Sequence, residues 1–317
     1  MSGTCTPDNV APIRCLTFDV EEYFHIEAAR TCIARTDRHR WPACVDYNVG
    51  RLLDLLAAFN IRATWFILGD VARRHPRLAS RIASAGHEIA CHGDQHDRLD
   101  RLTSRTLRQD LLAARHRLED QVGVAVLGYR APCFSLTRRT AWAVDVIREA
   151  GFLYDASIFP VRHPIYGVPD APTTPFWLTT SAEPGARLLE LPPLTLRALG
   201  RNWPVAGGAY FRILPPTFTH LGLAQAQRDH RLAILYFHPW EFDPATPAMP
   251  LSRLNRLRTY TGLRRTTARL RHLLEMYPTW YRLTDCLPTF RDMANRSPHF
   301  TLAAKSVTTD IPTRAAA

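Results

Sequence analysis

The chain lacks any run of about 18 or more apolar residues, so no membrane-spanning helix is expected. Its seven cysteines, Cys5, Cys15, Cys32, Cys44, Cys91, Cys133 and Cys286, never adopt a CxxC spacing. An odd, scattered set argues against a zinc ribbon or a closed disulfide framework and for a reducing compartment. The opening segment MSGTCTPDNVAPIRCLTFDV has no basic stretch, apolar run and small-residue cleavage site in succession. It does not read as a secretory leader, and the cytoplasm is the expected location. There is no internal repeat and no clear linker, and the composition is not collagenous, coiled-coil or disordered.

What is present is 317 residues with 46% hydrophobic and 22% charged, enough for a large core. One α/β barrel fits this length. Forty Lys plus Arg against 29 Asp plus Glu give a formal charge of +11. That balance invites acidic partners, whether nucleic acid, membrane headgroups or an anionic polymer.

Short apolar strands alternate with helical segments. Strands are expected at 13–20, 61–68, 87–91, 125–130, 188–191 and 232–237. Helices are expected after Asp46, over 76–85, from Thr103, over 137–150, over 216–230 and over 261–277. This alternation predicts a parallel α/β sheet or barrel, with functional residues on the loops that follow the strands. Residues 159–215 are rich in proline and read as a loop-rich insertion, and the end beyond 291 reads as a frayed tail.

Polar clusters fall at the strand ends. In TFDVEEYFH, Asp19 and Glu21 are two apart and share one side of a strand. Such a pair can divide cation binding from proton transfer, although a solvated acidic turn explains the segment as well. In HGDQH, His92 and His96 could share one face of a helical turn and chelate a divalent ion. Thirteen histidines in the chain make that spacing a common accident. Arg130 in YRAPC could hold Asp19 ionised, with Pro132 stiffening the loop at Cys133. Asp155 and Ser157 follow the next strand, and His238, suited to general acid work, follows LAILYF.

The succession TFDVEE, HGDQH, RAP, YDAS and FHP resembles the polysaccharide deacetylase family, also called the NodB-homology family or carbohydrate esterase family 4. DVEEYFH, YRAPCFS, GGAYFR and YFHPWEFD are similar to the deacetylases of bacterial exopolysaccharide loci, which carry an extra C-terminal region. The resemblance implies a distorted (β/α)7 barrel over 13–243, a helical extension over 244–290, and metal-assisted removal of N-acetyl groups from an amino-sugar polymer. It implies Asp19 as base, Glu21, His92 and His96 as ligands of a divalent ion, zinc foremost, and Arg130 as the holder of the base. Where the family has adjacent aspartates this chain has Val20, so Glu21 is preferred to Glu22 as the carboxylate ligand. The resemblance also implies an oxyanion-binding amide at Cys133, His238 as general acid, and Asp155 as the acidic partner of His238.

Two other readings stand beside it. One is an amide hydrolase for a small ureide on the same barrel; the other is a nucleic-acid-binding protein using Arg264, Arg265, Arg269 and Arg271. Trp177, Trp203 and Trp240 could stack on sugars or pack in a core. An N-acetylated glycan or lipid-linked oligosaccharide is the expected partner, with the basic balance suited to peripheral contact with the inner membrane face.

Overall fold

The computed structural model describes residues 13–180 and 185–303. Seven parallel strands form the frame: β1 (Arg14–Val20), β2 (Thr64–Ile67), β3 (Glu88–Cys91), β4 (Gly128–Tyr129), β5 (Tyr154–Asp155), β7 (Leu188–Glu190) and β10 (Ala233–Phe237). They run in the order β10-β1-β2-β3-β4-β5-β7. The strand β6 (Phe176–Thr179) lies antiparallel on β7, and β11 (Phe300–Thr301) extends that edge. A hairpin of β8 (Thr195–Ala198) and β9 (Arg201–Pro204) stands apart.

Beyond β7 the chain turns back onto β10. The Leu194 N–H donates to Ile234 O at 3.0 Å, and the Tyr236 N–H donates to Ala206 O at 3.0 Å. The seven staves thus curl into a distorted (β/α)7 barrel whose seam is bridged by single hydrogen bonds rather than a ladder. Among the described residues the stretch 159–215, expected to be mostly loop, also holds β6, β8, β9 and a short helix.

Alternation along the strands separates two layers. On β1, Leu16, Phe18 and Val20 face the helices, whereas Cys15, Thr17 and Asp19 face the barrel interior. The outer layer is made by α1 (Val45–Ala58), α2 (Gly69–Arg74), α3 (Leu78–Ser84), α4 (Ser104–Val122), α5 (Ala143–Glu149), α6 (Gly208–Ile213) and α7 (Pro216–Arg228). In α4, Leu107, Leu111, Ala114 and Leu118 recur at helical spacing and are buried. Its Thr103 cap accepts the Thr106 N–H, and Gly123 ends it in the left-handed conformation at φ 71°.

The interior is closed at the strand N-termini by the end of the chain. After α8 (Arg253–Tyr260) and α9 (Leu263–Met276), α10 (Leu287–Arg296) packs Leu287, Phe290 and Ala294 with Cys15, Phe66, Ala90, Tyr154 and Ile234. The Leu283 N–H donates to Thr64 Oγ1 at 2.9 Å and the Thr284 N–H to Glu88 Oε2 at 3.0 Å. Glu88 also accepts the Tyr154 hydroxyl at 2.6 Å, and burial pushes its carboxyl above the usual range.

The expected frayed tail begins too early in the sequence reading. The helix α10 runs to Arg296, Trp177 Nε1 donates to Asn295 Oδ1 at 2.7 Å, and β11 pairs with β6. The remainder of that tail, 304–317, lies outside the described residues. Because Phe290 is fully buried under the barrel, Phe290→Ala is expected to cost about 3–5 kcal/mol in urea unfolding. A loss below about 1 kcal/mol would mean that α10 merely decorates the barrel.

Candidate active site

The C-terminal ends of β1, β3, β4 and β10 meet at one mouth. Continuing the alternation of β1, Glu21 turns toward the barrel axis beside Asp19, both almost wholly buried. Glu22 turns the other way and accepts the Cys44 and Val45 N–H groups, each at 3.0 Å, so it caps α1. The choice between the two glutamates therefore rests on strand direction.

His92 and His96 reach the same point, but by a loop instead of the expected helical turn. Gly93 and His96 both take left-handed backbone, at φ 80° and 60°, and break any helical path between them. Asp110 fixes this loop by accepting the Asp94 N–H at 2.8 Å and the Gln95 N–H at 3.3 Å. The two imidazole centroids stand 5.4 Å apart.

Ligand atoms of Glu21, His92 and His96 all lie within 4.8 Å of one another. His92 Nδ1 is 2.8 Å from the Arg130 carbonyl, which requires a proton there and leaves the Nε2 lone pair free. Burial lowers His92 to about 4, so its ring is neutral near pH 7. Glu21 Oε2 is buried without an aligned hydrogen bond, 2.6 Å from His96 Nε2. Burial alone would raise the Glu21 carboxyl, but His96, His238 and His92 hold it well below the usual carboxylate range. One carboxylate and two imidazoles with unspent lone pairs fit a divalent transition-metal ion.

Arg130 carries the second half of the site. It is fully buried and donates from Nη1 to Asp19 Oδ1 at 2.6 Å and to Thr17 Oγ1 at 2.9 Å. Its Nε donates to Ala156 O at 3.1 Å, and its plane lies over the Phe66 ring at 4.1 Å. Asp19 is thereby oriented by a guanidinium that is itself fixed by Thr17, Ala156 and Phe66.

His238 faces these carboxylates from the end of β10. Its Nε2 is 3.7 Å from Glu21 Oε1 and 4.0 Å from Asp19 Oδ2. Its acidic partner is Glu241, whose Oε2 is 3.0 Å from Nδ1 and also accepts the His238 N–H. Burial would lower His238, but Glu241, then Glu21 and Asp19, outweigh it and raise it to about 9. Arg212 fixes Glu241 in turn through Nε to Oε1 at 2.8 Å.

The expectation that Asp155 partners His238 is overturned by strand parity. Tyr154 and Ala156 belong to the interior, so Asp155 points outward, where it meets Glu190 and the Ser157 hydroxyl at 2.6 Å. Ser157 Oγ accepts the Ala131 N–H at 2.7 Å, so Asp155 braces the loop after Arg130 rather than touching the mouth. Sequence reading missed Glu241, although its position three residues after His238 has the spacing of a capping box. Arg212 lay within GGAYFR with no local signal of its contacts.

Cys133 and Phe134 are consecutive left-handed residues at φ 56° and 50°, turning the chain sharply past Pro132. Burial, with Glu21 nearby, pushes the Cys133 thiol up to about 12, so it stays protonated. Of the three tryptophans, Trp240 alone is at the mouth, with Nε1 3.5 Å from Glu21 Oε1 and its ring stacked beside His238. Trp177 packs by α10 and under Arg187, and Trp203 is half-exposed on β9.

These elements define a class: an α/β barrel whose mouth gathers a carboxylate and two imidazoles in an arrangement that fits a divalent metal ion. Part of the chain is similar to the polysaccharide deacetylase family. Residues 41–154 match that family, and 156–287 match a domain of unknown function (DUF3473). The boundary between the two matches falls within β5, so both lie on one sheet; His92, His96 and Arg130 lie in the first, His238 and Glu241 in the second, and β1 with Asp19 and Glu21 precedes both. A peptidoglycan deacetylase from Helicobacter pylori is 29% identical over 113 residues, 36% of this chain and 38% of that protein. The chain thus spans little more than a third of that relative's length.

Two solved structures share the fold. A protein described as a polysaccharide deacetylase from Mycobacterium smegmatis superimposes with a TM-score of 0.62 at 21% identity, covering 95% of this chain and 96% of its own. Puue allantoinase gives 0.59 at 18% identity, covering 90% and 92%.

Arg130→Met removes the closest hydrogen-bonded partner of buried Asp19, and is expected to cost about 3–5 kcal/mol in urea unfolding. The double variant Asp19→Asn/Arg130→Met should lose less than the sum of the two single losses; simple additivity would mean that the pair is not coupled.

Proposed function

We propose that the protein is a metal-dependent hydrolase that removes N-acetyl groups from amino-sugar residues of a bacterial polysaccharide, acting during exopolysaccharide assembly. The observation that carries this reading is the convergence at one mouth of an arginine-held carboxylate, a carboxylate–imidazole cluster and a histidine backed by a glutamate. The substrate arrives as a polymer or as a lipid-linked oligosaccharide, on the cytoplasmic side.

Glu21, His92 and His96 would hold the divalent ion, with zinc favoured by this donor set. When bound there, it supplies a Lewis acid for the acetamido oxygen and for a water molecule. Asp19 accepts a proton from the attacking water while Arg130 keeps its carboxylate oriented. The Cys133 amide, on the strained turn after Arg130, donates to the oxygen on which negative charge develops. His238, held protonated by Glu241, gives its proton to the departing sugar nitrogen as the C–N bond breaks. The products are acetate and a free amine, with the added water divided between them.

This reading favours an acetamido sugar over a ureide on the strength of the motif set, since the likeness to the allantoinase extends to the fold alone. Acetate release from N-acetylglucosamine oligomers should vanish with chelation and return with added zinc, while ureides are left intact. Asp19→Asn and His238→Ala, both still folded, should each slow acetate release about 100- to 10,000-fold. A wild-type rate in either variant, or hydrolysis confined to ureides, would sink the assignment.

A further inference from the structure

Between Asp243 and Glu275 the sequence contains no acidic residue but seven arginines, all within residues 253–271. Among the described residues, Arg253, Arg256, Arg258, Arg264 and Arg265 form no ion pair with an acidic side chain and are exposed to solvent. Among the described residues, nothing neutralises or covers the positive charge of this region.

The helix α8 presents this charge in an unusual way. Its one buried residue is Thr259, while Leu254 and Leu257, one turn apart, are 69% and 62% exposed. On the helical wheel these two leucines lie roughly opposite Thr259, with Arg253 on one side of the stripe and Arg258 on the other. A surface helix of a globular protein normally turns its leucines inward. Here they point outward inside a frame of guanidinium groups, the pattern of a helix that lies in a membrane interface.

The helix is also firmly placed. Buried Arg212 donates to the carbonyls of Arg258, Thr259 and Thr261 at 3.0, 3.0 and 2.6 Å, while its Nε holds Glu241. The C-terminal end of α8 therefore stands on the same guanidinium that fixes the partner of His238, at the mouth end of the barrel.

We propose that α8 and the first turn of α9 dock the protein on an anionic lipid bilayer, with Leu254 and Leu257 entering the interface and the arginines meeting lipid phosphates. A nucleic acid would satisfy the arginines but leave both leucines facing water, which favours the bilayer. The docking does not depend on which bond the barrel mouth hydrolyses.

Sedimentation with vesicles tests this. The full chain should bind vesicles of phosphatidylcholine mixed with phosphatidylglycerol, release as salt is raised, and ignore phosphatidylcholine alone. The triple variant Arg253→Gln/Arg256→Gln/Arg258→Gln should bind about tenfold or more weakly. Leu254→Ser/Leu257→Ser, which keeps every charge, should also weaken binding about tenfold, with unchanged melting temperatures showing that both variants are folded. Failure of the wild type to bind anionic vesicles at low salt would overturn the proposal. So would undiminished binding by the leucine variant, or tighter binding to a DNA duplex than to the vesicles.

Discussion

Arg130 enters the barrel with none of its surface reaching solvent, and a cation so placed must be neutralised where it stands. Asp19 does this at 2.6 Å, and the geometry of the mouth follows from that contact. The guanidinium is tied to the sheet through Thr17 on β1 and the Ala156 carbonyl after β5, on opposite sides of the interior. Its own carbonyl fixes the tautomer of His92. One residue thus sets Asp19, one imidazole of the carboxylate–imidazole cluster and the start of the turn at Cys133.

A second guanidinium has a parallel part on the other wall. Arg212 is almost as deeply buried, and it divides its donors between Glu241 and the end of α8. Glu241 meets Arg212 with one oxygen and His238 with the other, so the imidazole is held by a carboxylate that is itself immobile. Two buried arginines, each paired with one carboxylate, bracket the cleft into which His238 projects. The arrangement resists rotation of Asp19 and His238 without relying on exposed loops.

Much of this was legible from strand ends. The alternation along β1 put Asp19 and Glu21 on one side, and their order before HGDQH, RAP and FHP matched a known family. What could not be read were contacts set by parity or packing over long separations. Asp155 lies in a short strand of two residues, too short to show which face its side chain takes, and it faces outward. The turn between His92 and His96 depends on left-handed backbone at His96, a conformation that histidine adopts more readily than most residues but that its type alone does not specify. A helical extension packed on the barrel was expected as far as residue 290, but the continuation of α10 to Arg296 escaped notice because Ala294 sits among polar residues in a region that resembles a tail. Glu241 was the exception, since its spacing from His238 is local and could have been recognised.

The position of β1 has a consequence for how the chain reaches this state. Among the described residues it is the first strand in chain order, yet one of its two neighbours is β10, paired from Arg14 with Ala233 to Phe18 with Phe237. The base of the barrel is sealed later still, by Leu283 and Thr284. During synthesis the emerging chain therefore exposes one edge of β1 and an open interior until nearly all the described residues have left the ribosome. Contacts of such long sequence separation slow folding and leave apolar surface uncovered meanwhile. The aspartate and arginine that later face each other inside the barrel spend that interval in water, where neither requires a partner.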